Sequence, residues 1–248
     1  MKAIGRFFQI ILQILGIFYL EVSKGANLPS RENYSNKCAY ILPFCGRWTV
    51  VNGGATEALS HAWELIHQRY AYDFVIREEA GRTFEGDPKS VCSYFCYGQD
   101  ILAIADGEVV SVKDTHPDSR VDGERAYCDA SEIAGNVIVI QHHEREYSLV
   151  AHLMPKSATV QVGDRVKQGQ VIAKCGNSGN SSQPHLHFQL QEGRRFFFSA
   201  TLPIAFSGIS AQQKENYALL DPRPRKDNLE TVGGQSYIGR GLEVENNS

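Results

Sequence analysis

The strongest constraint on the fold is a series of short apolar runs, separated by glycine-bearing turns, that begins at Tyr40. The runs are rich in β-branched and aromatic residues: RWTVV, RYAYDFVI, DILAIADGEVVSV, NVIVIQHH, YSLVAHL, ATVQV, QVIAKC and HLHFQLQ. Runs of about four to eight such residues between turn signals are typical of β-strands. The sequence therefore predicts an all-β domain.

The 248 residues suffice for one large β-rich domain with extensions. We expect an N-terminal helix and linker over residues 1–37, the main domain over 38–205 and a C-terminal extension over 206–248. A polar stretch, residues 113–135, lies between two predicted strands and is expected to be a long surface loop. From about Asp221 the chain is rich in Pro, Arg, Asn and Gly, which indicates extended or partly disordered structure.

The N-terminus has two interpretations. Lys2 and Arg6 precede the apolar stretch FFQIILQILGIFYL, residues 7–20, which resembles a signal sequence or membrane anchor and favours an extracytoplasmic location. However, Gln9 and Gln13 interrupt the stretch at helical spacing, as in an amphipathic helix that packs on the domain or lies on a membrane surface. Both interpretations stay open, and each allows membrane association through residues 4–20.

Composition excludes some function classes. The formal net charge is −3, with no basic excess of the kind that nucleic-acid binding requires. Six cysteines are too few for a disulfide scaffold in a chain of this length and lack the paired Cys-x-x-Cys spacing of a structural zinc site. Cys92 and Cys96 are close enough in sequence to pair, although free thiols are the simpler interpretation.

Histidines and one aspartate indicate a metal site. His185 and His187 are two residues apart, so on a strand they point to the same face. His152 ends an apolar strand, and Asp73 interrupts another, where an unpaired carboxylate would cost several kcal/mol of desolvation. A single His-x-His is more often incidental than metal-binding, but catalytic zinc needs three His or carboxylate ligands and an open position, and this set supplies them.

A longer segment then shows a family resemblance. The stretch HL…VQVGDRVKQGQVIAKCGNSGNSSQPHLHFQL resembles the catalytic core of the lysostaphin/LytM-type zinc metallopeptidases, and YGQDILAIADGEVV and RYAYDFV resemble that family's opening hairpin and aspartate strand. The resemblance spans about residues 45–192, with the motifs in the family's order. It implies an antiparallel β sandwich or open barrel of the LytM (duplicated hybrid motif) type.

The resemblance also implies residue roles. Asp73 and His187 would be zinc ligands, and His152 and His185 the catalytic pair that activates water and stabilises the tetrahedral intermediate. The family's first His lies four residues before the Asp, where this chain has Arg69, which cannot bind zinc. Two replacements are His61, favoured because a short segment after it could loop back, and His67, which would need a sharp chain reversal.

The implied function is a metalloendopeptidase with one Zn²⁺ per chain, acting as a monomer on peptide cross-links of bacterial peptidoglycan or another peptide. The main alternative is a catalytically impaired LytM-like module that binds cell wall or regulates another hydrolase. A biotinyl- or lipoyl-type carrier shares the VQVGDRVKQGQVIA turn, but its modifiable Met-Lys has no counterpart there. A purely structural role for these histidines would leave Asp73 unexplained.

Overall fold

The computed structural model describes residues 2–121, 126, 127, 129, 131–215, 217–223 and 228–247. The described residues contain two α-helices, α1 (Lys2–Lys24) and α2 (Tyr217–Leu220), and three single turns of 3₁₀ helix (Gly25–Asn27, Val91–Ser93 and Phe196–Phe198). All other regular elements are strands, numbered in chain order: β1 Trp48–Asn52, β2 Tyr72–Val75, β3 Asp100–Leu102, β4 Gly107–Lys113, β5 Arg120–Val121, β6 Ala126–Tyr127, β7 Val137–His143, β8 Glu146–Ala151, β9 Arg165–Val166, β10 Val171–Lys174, β11 Leu186–Gln191, β12 Thr201–Leu202, β13 Phe206–Ser207, β14 Ile209–Gln213, β15 Leu229–Val232, β16 Gln235–Ile238 and β17 Leu242–Asn246.

One large antiparallel sheet organises the chain. Its strand order is β14-β17-β1-β2-β11-β8-β7-β4-β9, with β12 paired to β11. Smaller sheets are β3-β10, β13-β16-β15 and β5-β6. The predicted fold class, mostly antiparallel β with an N-terminal helix, is confirmed.

Strand alternation separates the core face of the large sheet from the opposite face. On β11, the apolar residues Leu186, Phe188 and Leu190 belong to the main core. The intervening polar residues of β11 point the other way because side chains alternate along a strand. They are nevertheless fully or almost fully buried. The face of the sheet away from the core therefore carries buried polar groups, which need partners.

The C-terminal segment, expected to be extended or partly disordered from about Asp221, forms the strands β15, β16 and β17 over most of its described length. Strand β17 pairs with β1 in the large sheet, with Trp48 opposite Val244, and β14 pairs with β17 along its length. Leu242 and Val244 are buried in the main core. Apolar alternation in LEVEN is too short to predict this pairing, because the partner strand lies almost 200 residues earlier. Residues 224–227 lie outside the described residues.

Helix α1 is longer than the apolar stretch suggests and runs to Lys24. Leu20 is fully buried, and Lys24 forms an ion pair with Glu192 at 2.7 Å. A Cβ atom at Gly16 would lie 2.0 Å from the carbonyl oxygen of Phe197, so the helix backbone touches the domain there. Most apolar side chains of α1 are exposed, and Ile4–Lys24 is long and apolar enough to cross a membrane.

The predicted surface loop, residues 113–135, needs correction. The structure contains the paired strands β5 and β6 within it. His116, in the same segment, has a side chain only 14% exposed, with its Nε2 3.7 Å from an Asp129 carboxylate oxygen. Five cysteines are free thiols, including exposed Cys92 and buried Cys96, and Cys128 lies outside the described residues.

Buried Glu146 fastens the segment after α1 to the β7–β8 hairpin. Its Oε1 accepts hydrogen bonds from the Tyr34 hydroxyl (2.6 Å) and the Lys37 backbone N–H (2.7 Å), and its Oε2 accepts one from the Tyr40 hydroxyl (2.6 Å). A buried carboxylate is tolerated here because three donors replace the water it loses.

Substituting Glu146→Ala should therefore destabilise the fold. It leaves the buried Tyr40 hydroxyl and a backbone N–H without their acceptor, and such losses cost about 1–3 kcal/mol each. We expect the free energy of unfolding in urea to fall by about 2–4 kcal/mol. The control Glu144→Ala, at an exposed neighbouring position, should change it by less than about 0.5 kcal/mol. Equal effects of the two substitutions would contradict the structural role of Glu146.

Candidate active site

Strand register brings the candidate site residues together on the face of the sheet away from the core. Asp73 on β2 lies directly opposite His187 on β11, and His187 lies opposite Ala151 on β8. His152 follows Ala151, and His185 immediately precedes β11. Four of the residues singled out from the sequence therefore meet at adjacent strand positions in the middle of the sheet.

The Asp73 carboxylate is the centre of this group, and the residue is only 8% exposed. Its Oδ1 lies 3.1 Å from His187 Nδ1 and 3.7 Å from His185 Nε2, and its Oδ2 accepts a hydrogen bond from Asn52 Nδ2 at 3.0 Å. Burial by itself would raise the pKa of the carboxyl group. The adjoining His187 and the nearby His185 and His61 outweigh burial and hold the pKa well below its usual range.

A chain of glutamines fixes the orientation of His187. Gln189 Nε2 donates to the Gln191 Oε1 atom (2.6 Å) and to the His67 carbonyl (3.1 Å), so the Gln189 Oε1 atom is the one that faces His187 Nε2, at 3.1 Å. His187 Nε2 must then carry a proton, and its Nδ1 lone pair points at the Asp73 carboxylate. Two acceptors 3.1 Å apart require a shared cation, either a second proton on the ring or a metal ion.

His152 has a backbone and a side chain that are both constrained. It has φ of 59°, which is uncommon outside glycine, and such strained positions cluster at functional sites. Its Nδ1–H donates to the Ser178 carbonyl at 2.8 Å, which leaves Nε2 as the acceptor atom. Burial and the neighbouring His185 and His187 hold the pKa of His152 well below its usual value, so the ring is neutral in the folded chain.

His185 is held by the turn that precedes β11. Its Nδ1 lies 2.8 Å from the Gln183 carbonyl and 3.1 Å from the Ser181 hydroxyl. With the Nδ1 proton donated to the carbonyl, Nε2 is directed toward Asp73. The His152 and His185 rings are 4.7 Å apart, so the predicted catalytic pair is adjacent in space.

The structure separates the two candidates for the third ligand. His61 Nε2 lies 3.7 Å from Asp73 Oδ2, and the side chain remains 31% exposed at the site. Burial, the largest influence, lowers the pKa of His61, which favours the neutral form that binds metals. His67 is fully buried, and its ring packs against Phe196 and Phe197, with centroids 5.5 and 5.4 Å away.

Arg69, at the family's usual ligand position, has a structural role. Its Nε donates to the Trp63 carbonyl at 2.9 Å, and its guanidinium lies 4.9 Å from the centre of the Trp63 ring. Its own carbonyl accepts a hydrogen bond from the Ser60 hydroxyl at 2.8 Å. These contacts fold residues 60–69 into a compact loop, which brings His61 back toward the sheet.

A cavity of about 400 Å³ is lined by Asp73 and by His61, His152, His185 and His187. Its wall includes residues that sequence reasoning did not connect with the site: Gln13 of α1, Gln68 and Phe196. Ile133 and Ala134 also line it, in the 113–135 segment that the family resemblance suggests as a wall of the substrate groove. Sequence reasoning also missed Asn52 and Gln189, the polar partners of Asp73 and His187. The one available signal was the polar alternation of HFQLQ on an otherwise core strand.

The donor set fits zinc in chemistry and approximately in spacing. Zinc–ligand distances of about 2.0–2.1 Å and tetrahedral angles place neighbouring donors roughly 3.3 Å apart. The separations of 3.1 and 3.7 Å from Asp73 to His187 and His61 lie on either side of that value. Among the described residues, no group of three His, Cys, Asp or Glu side chains is already arranged to hold a metal ion. The donors are thus near one another without forming a preassembled set.

Comparison with known proteins shows which family part of this chain is similar to. Residues 92–197 match the sequence model of Peptidase family M23. The family resemblance seen in the sequence is therefore confirmed over these residues, which make up less than half of the chain. The match includes His152, His185 and His187, whereas His61 and Asp73 precede it.

Among curated relatives, the peptidoglycan DD-endopeptidase ShyB of Vibrio cholerae is 33% identical over 122 residues, which cover 48% of this chain and 24% of ShyB. ShyA of the same organism is 40% identical over 98 residues, 39% of this chain and 22% of ShyA. The murein hydrolase activator EnvC of Escherichia coli is 33% identical over 94 residues, 38% of this chain and 18% of EnvC. The chain thus spans about a quarter or less of the length of these relatives.

Solved structures of low similarity include a zinc-containing peptidase from Vibrio cholerae, with 21% identity and a TM-score of 0.41 over 66% of this chain and 39% of that one. The catalytic domain of lysostaphin from Staphylococcus simulans has 22% identity and a TM-score of 0.35 over 68% of this chain and 90% of that one.

The burial of His67 gives a pH-dependent prediction. Burial lowers the pKa of His67 from 6.5 to about 4, so the unfolded chain binds a proton between these pH values while the folded chain does not. Stability is therefore lost as the pH falls from about 6.5 to about 4, by about 3 kcal/mol from this group. His67→Leu should remove that part of the loss, as measured by urea unfolding at several pH values.

The control for this measurement is His143→Leu, at the exposed end of β7. It should leave the pH dependence as in the wild type. A wild-type pH dependence in His67→Leu would show that His67 is not buried in its neutral form.

Proposed function

We propose that this chain is a zinc-dependent metalloendopeptidase that hydrolyses peptide bonds in the short peptide cross-links of bacterial peptidoglycan. One observation carries the proposal: His187 Nδ1 faces the buried carboxylate of Asp73 at 3.1 Å, an arrangement that requires a cation shared between the two atoms. The glutamine chain behind His187 assigns its proton to the far nitrogen. Such outer partners commonly fix the tautomer of metal-binding histidines.

His61, Asp73 and His187 are the proposed zinc ligands. When bound, zinc would act as a Lewis acid on the scissile carbonyl and lower the pKa of water to about 7. The ligands supply two imidazoles and one carboxylate, and the cavity leaves room for substrate and water on the side away from the sheet.

His152 and His185 are proposed to handle protons and charge. His152 is neutral and has Nε2 available, so it can accept a proton from the attacking water as a general base. His185, with its Nδ1 fixed by the Gln183 carbonyl, orients Nε2 within the cavity, where a protonated ring can donate to a developing oxyanion. The 4.7 Å between the two rings lets both act on one tetrahedral centre.

The substrate is proposed from the relatives and from the location of the site. ShyA and ShyB are peptidoglycan endopeptidases by name, and a relative from Staphylococcus capitis is named a glycyl-glycine endopeptidase. Peptidoglycan lies outside the cytoplasm, and the apolar helix α1 is compatible with export or with membrane attachment. We propose that the protein acts there, on cell-wall peptide, as a monomer.

A regulatory, non-catalytic role is the second candidate. EnvC, one of the relatives, is named an activator of murein hydrolases. The donors in this chain are also not preassembled. The presence of both a full ligand set and the His152–His185 pair favours catalysis, because a module that only binds needs neither.

Digestion of purified peptidoglycan by the zinc-supplemented protein tests the proposal. We expect new amino groups and shortened cross-linked muropeptides, detected by mass spectrometry. His152→Ala should lower the rate by about 10²-fold or more, since general-base catalysis contributes 10²–10⁴.

The matched control is His143→Ala, which removes an exposed histidine outside the cavity and should leave the rate unchanged. Binding of the wild type to peptidoglycan without bond cleavage would contradict the enzymatic proposal and favour the regulatory one. Cleavage of equal rate in His152→Ala would contradict the proposed general base.

A further inference from the structure

The loop that carries His61 is held by the C-terminal segment, which lies outside the matched peptidase region. The loop, residues 53–61, leaves the end of β1 and returns so that Gly53 N–H donates to the Leu59 carbonyl at 3.2 Å. Leu59 is 1% exposed, whereas His61, two residues later, reaches the cavity. The position of His61 therefore depends on what fixes Leu59.

Arg240, in the turn between β16 and β17, makes the contacts that fix this loop. Arg240 is only 2% exposed. Its Nη2 donates to the Ala58 carbonyl at 3.0 Å and its Nη1 to the Leu59 carbonyl at 3.4 Å. Its backbone N–H donates to the Gly53 carbonyl at 3.0 Å, so one residue contacts both ends of the loop.

Residues around Arg240 pack against Leu59 or hold Arg240 itself in place. A Cβ atom at Gly239 would lie 2.7 Å from Leu59 Cδ1, so a larger residue at this position would require the Leu59 side chain to shift. Arg240 Nε lies 3.7 Å from an Asp221 carboxylate oxygen, and the Asn228 side chain donates to the Arg240 carbonyl at 2.9 Å. Arginine is rarely fully buried unless it is paired, so a buried arginine with several fixed contacts indicates a specific structural role.

We infer that Arg240 is a positioning residue for the zinc ligand His61. Its two guanidinium hydrogen bonds hold the Ala58 and Leu59 carbonyls, and so place His61 within reach of Asp73. This inference rests on the proposed zinc site. It gives the C-terminal segment a function in that site, because β16 and β17 present Arg240 from the far end of the chain.

Zinc affinity and loop order together test this inference. In direct zinc titrations, Arg240→Ala should raise the dissociation constant about 10-fold or more, as is typical when the outer support of a ligand is lost. Arg240→Lys, which keeps the charge but not the forked donor, should have a smaller effect. The matched control is Lys214→Met, which removes a buried cation of the same segment whose partner is Glu243. It should change the zinc dissociation constant less than about twofold.

A double-mutant cycle separates positioning from general destabilisation. If Arg240 acts through His61, then adding Arg240→Ala to His61→Ala should leave the already weakened zinc binding unchanged. An equal rise in the dissociation constant in both backgrounds would overturn the inference. An unchanged constant in folded Arg240→Ala would also overturn it, and if that variant does not fold, an unchanged constant in Arg240→Lys does so.

Hydrogen exchange on the metal-free protein decides the case independently of zinc. Amides of residues 54–61 should exchange about 10-fold faster or more in Arg240→Ala but not in Lys214→Met, because local opening is controlled by local contacts. Unchanged exchange of the loop would overturn the inference. A wild type that binds no zinc would instead contradict the proposed function, while the exchange result would still decide whether Arg240 holds the loop.

Discussion

The pairing of β2 with β11 is the interaction on which the rest of the site depends. It places Asp73 opposite His187 in the interior of a wide antiparallel sheet, on the face away from the core. A shift of one residue would move one of the two side chains to the core face, because side chains alternate along a strand. The core residues on both strands, Phe74 and Phe188 among them, therefore fix the register that the site needs.

Because Asp73 and His187 are buried, their polar atoms need partners within the protein or a bound cation. A carboxylate that is 8% exposed must be paired, and the imidazole that faces it has its other nitrogen committed to Gln189. Neighbouring side chains provide such partners. Asn52 donates a hydrogen bond to one carboxylate oxygen, and His61 approaches from the solvent side. His152 and His185 border the same cavity. The sheet thus concentrates polar groups at a place where a bound cation would satisfy them together.

The fold class and much of the candidate site follow from local sequence patterns. Short apolar runs between glycine turns predicted an all-β domain, and the family resemblance implied its antiparallel arrangement. Asp73 within an apolar strand and the His185–His187 spacing predicted polar groups on one face. The match to Peptidase family M23 and the strand order confirmed the family resemblance and the fold class. The ligand and catalytic roles of the individual residues stay proposals.

Contacts between residues that are far apart in the chain could not be predicted from local sequence patterns. The choice between His61 and His67 depends on a loop that is folded by Arg69 and closed by Arg240, which is 181 residues from Leu59. No local pattern in residues 53–69 contains that information. The C-terminal strands were not predicted for the same reason. The apolar alternation of LEVEN is short, and it indicates a strand of the large sheet only once its pairing with β1 is known.

The most direct test of the account is the zinc content of the purified wild type, His61→Ala and His67→Ala, measured by elemental analysis after zinc is supplied and excess metal removed. The account predicts about one zinc per chain in the wild type and in His67→Ala, and marked loss in His61→Ala. No zinc in the wild type, or loss in His67→Ala with retention in His61→Ala, would contradict it.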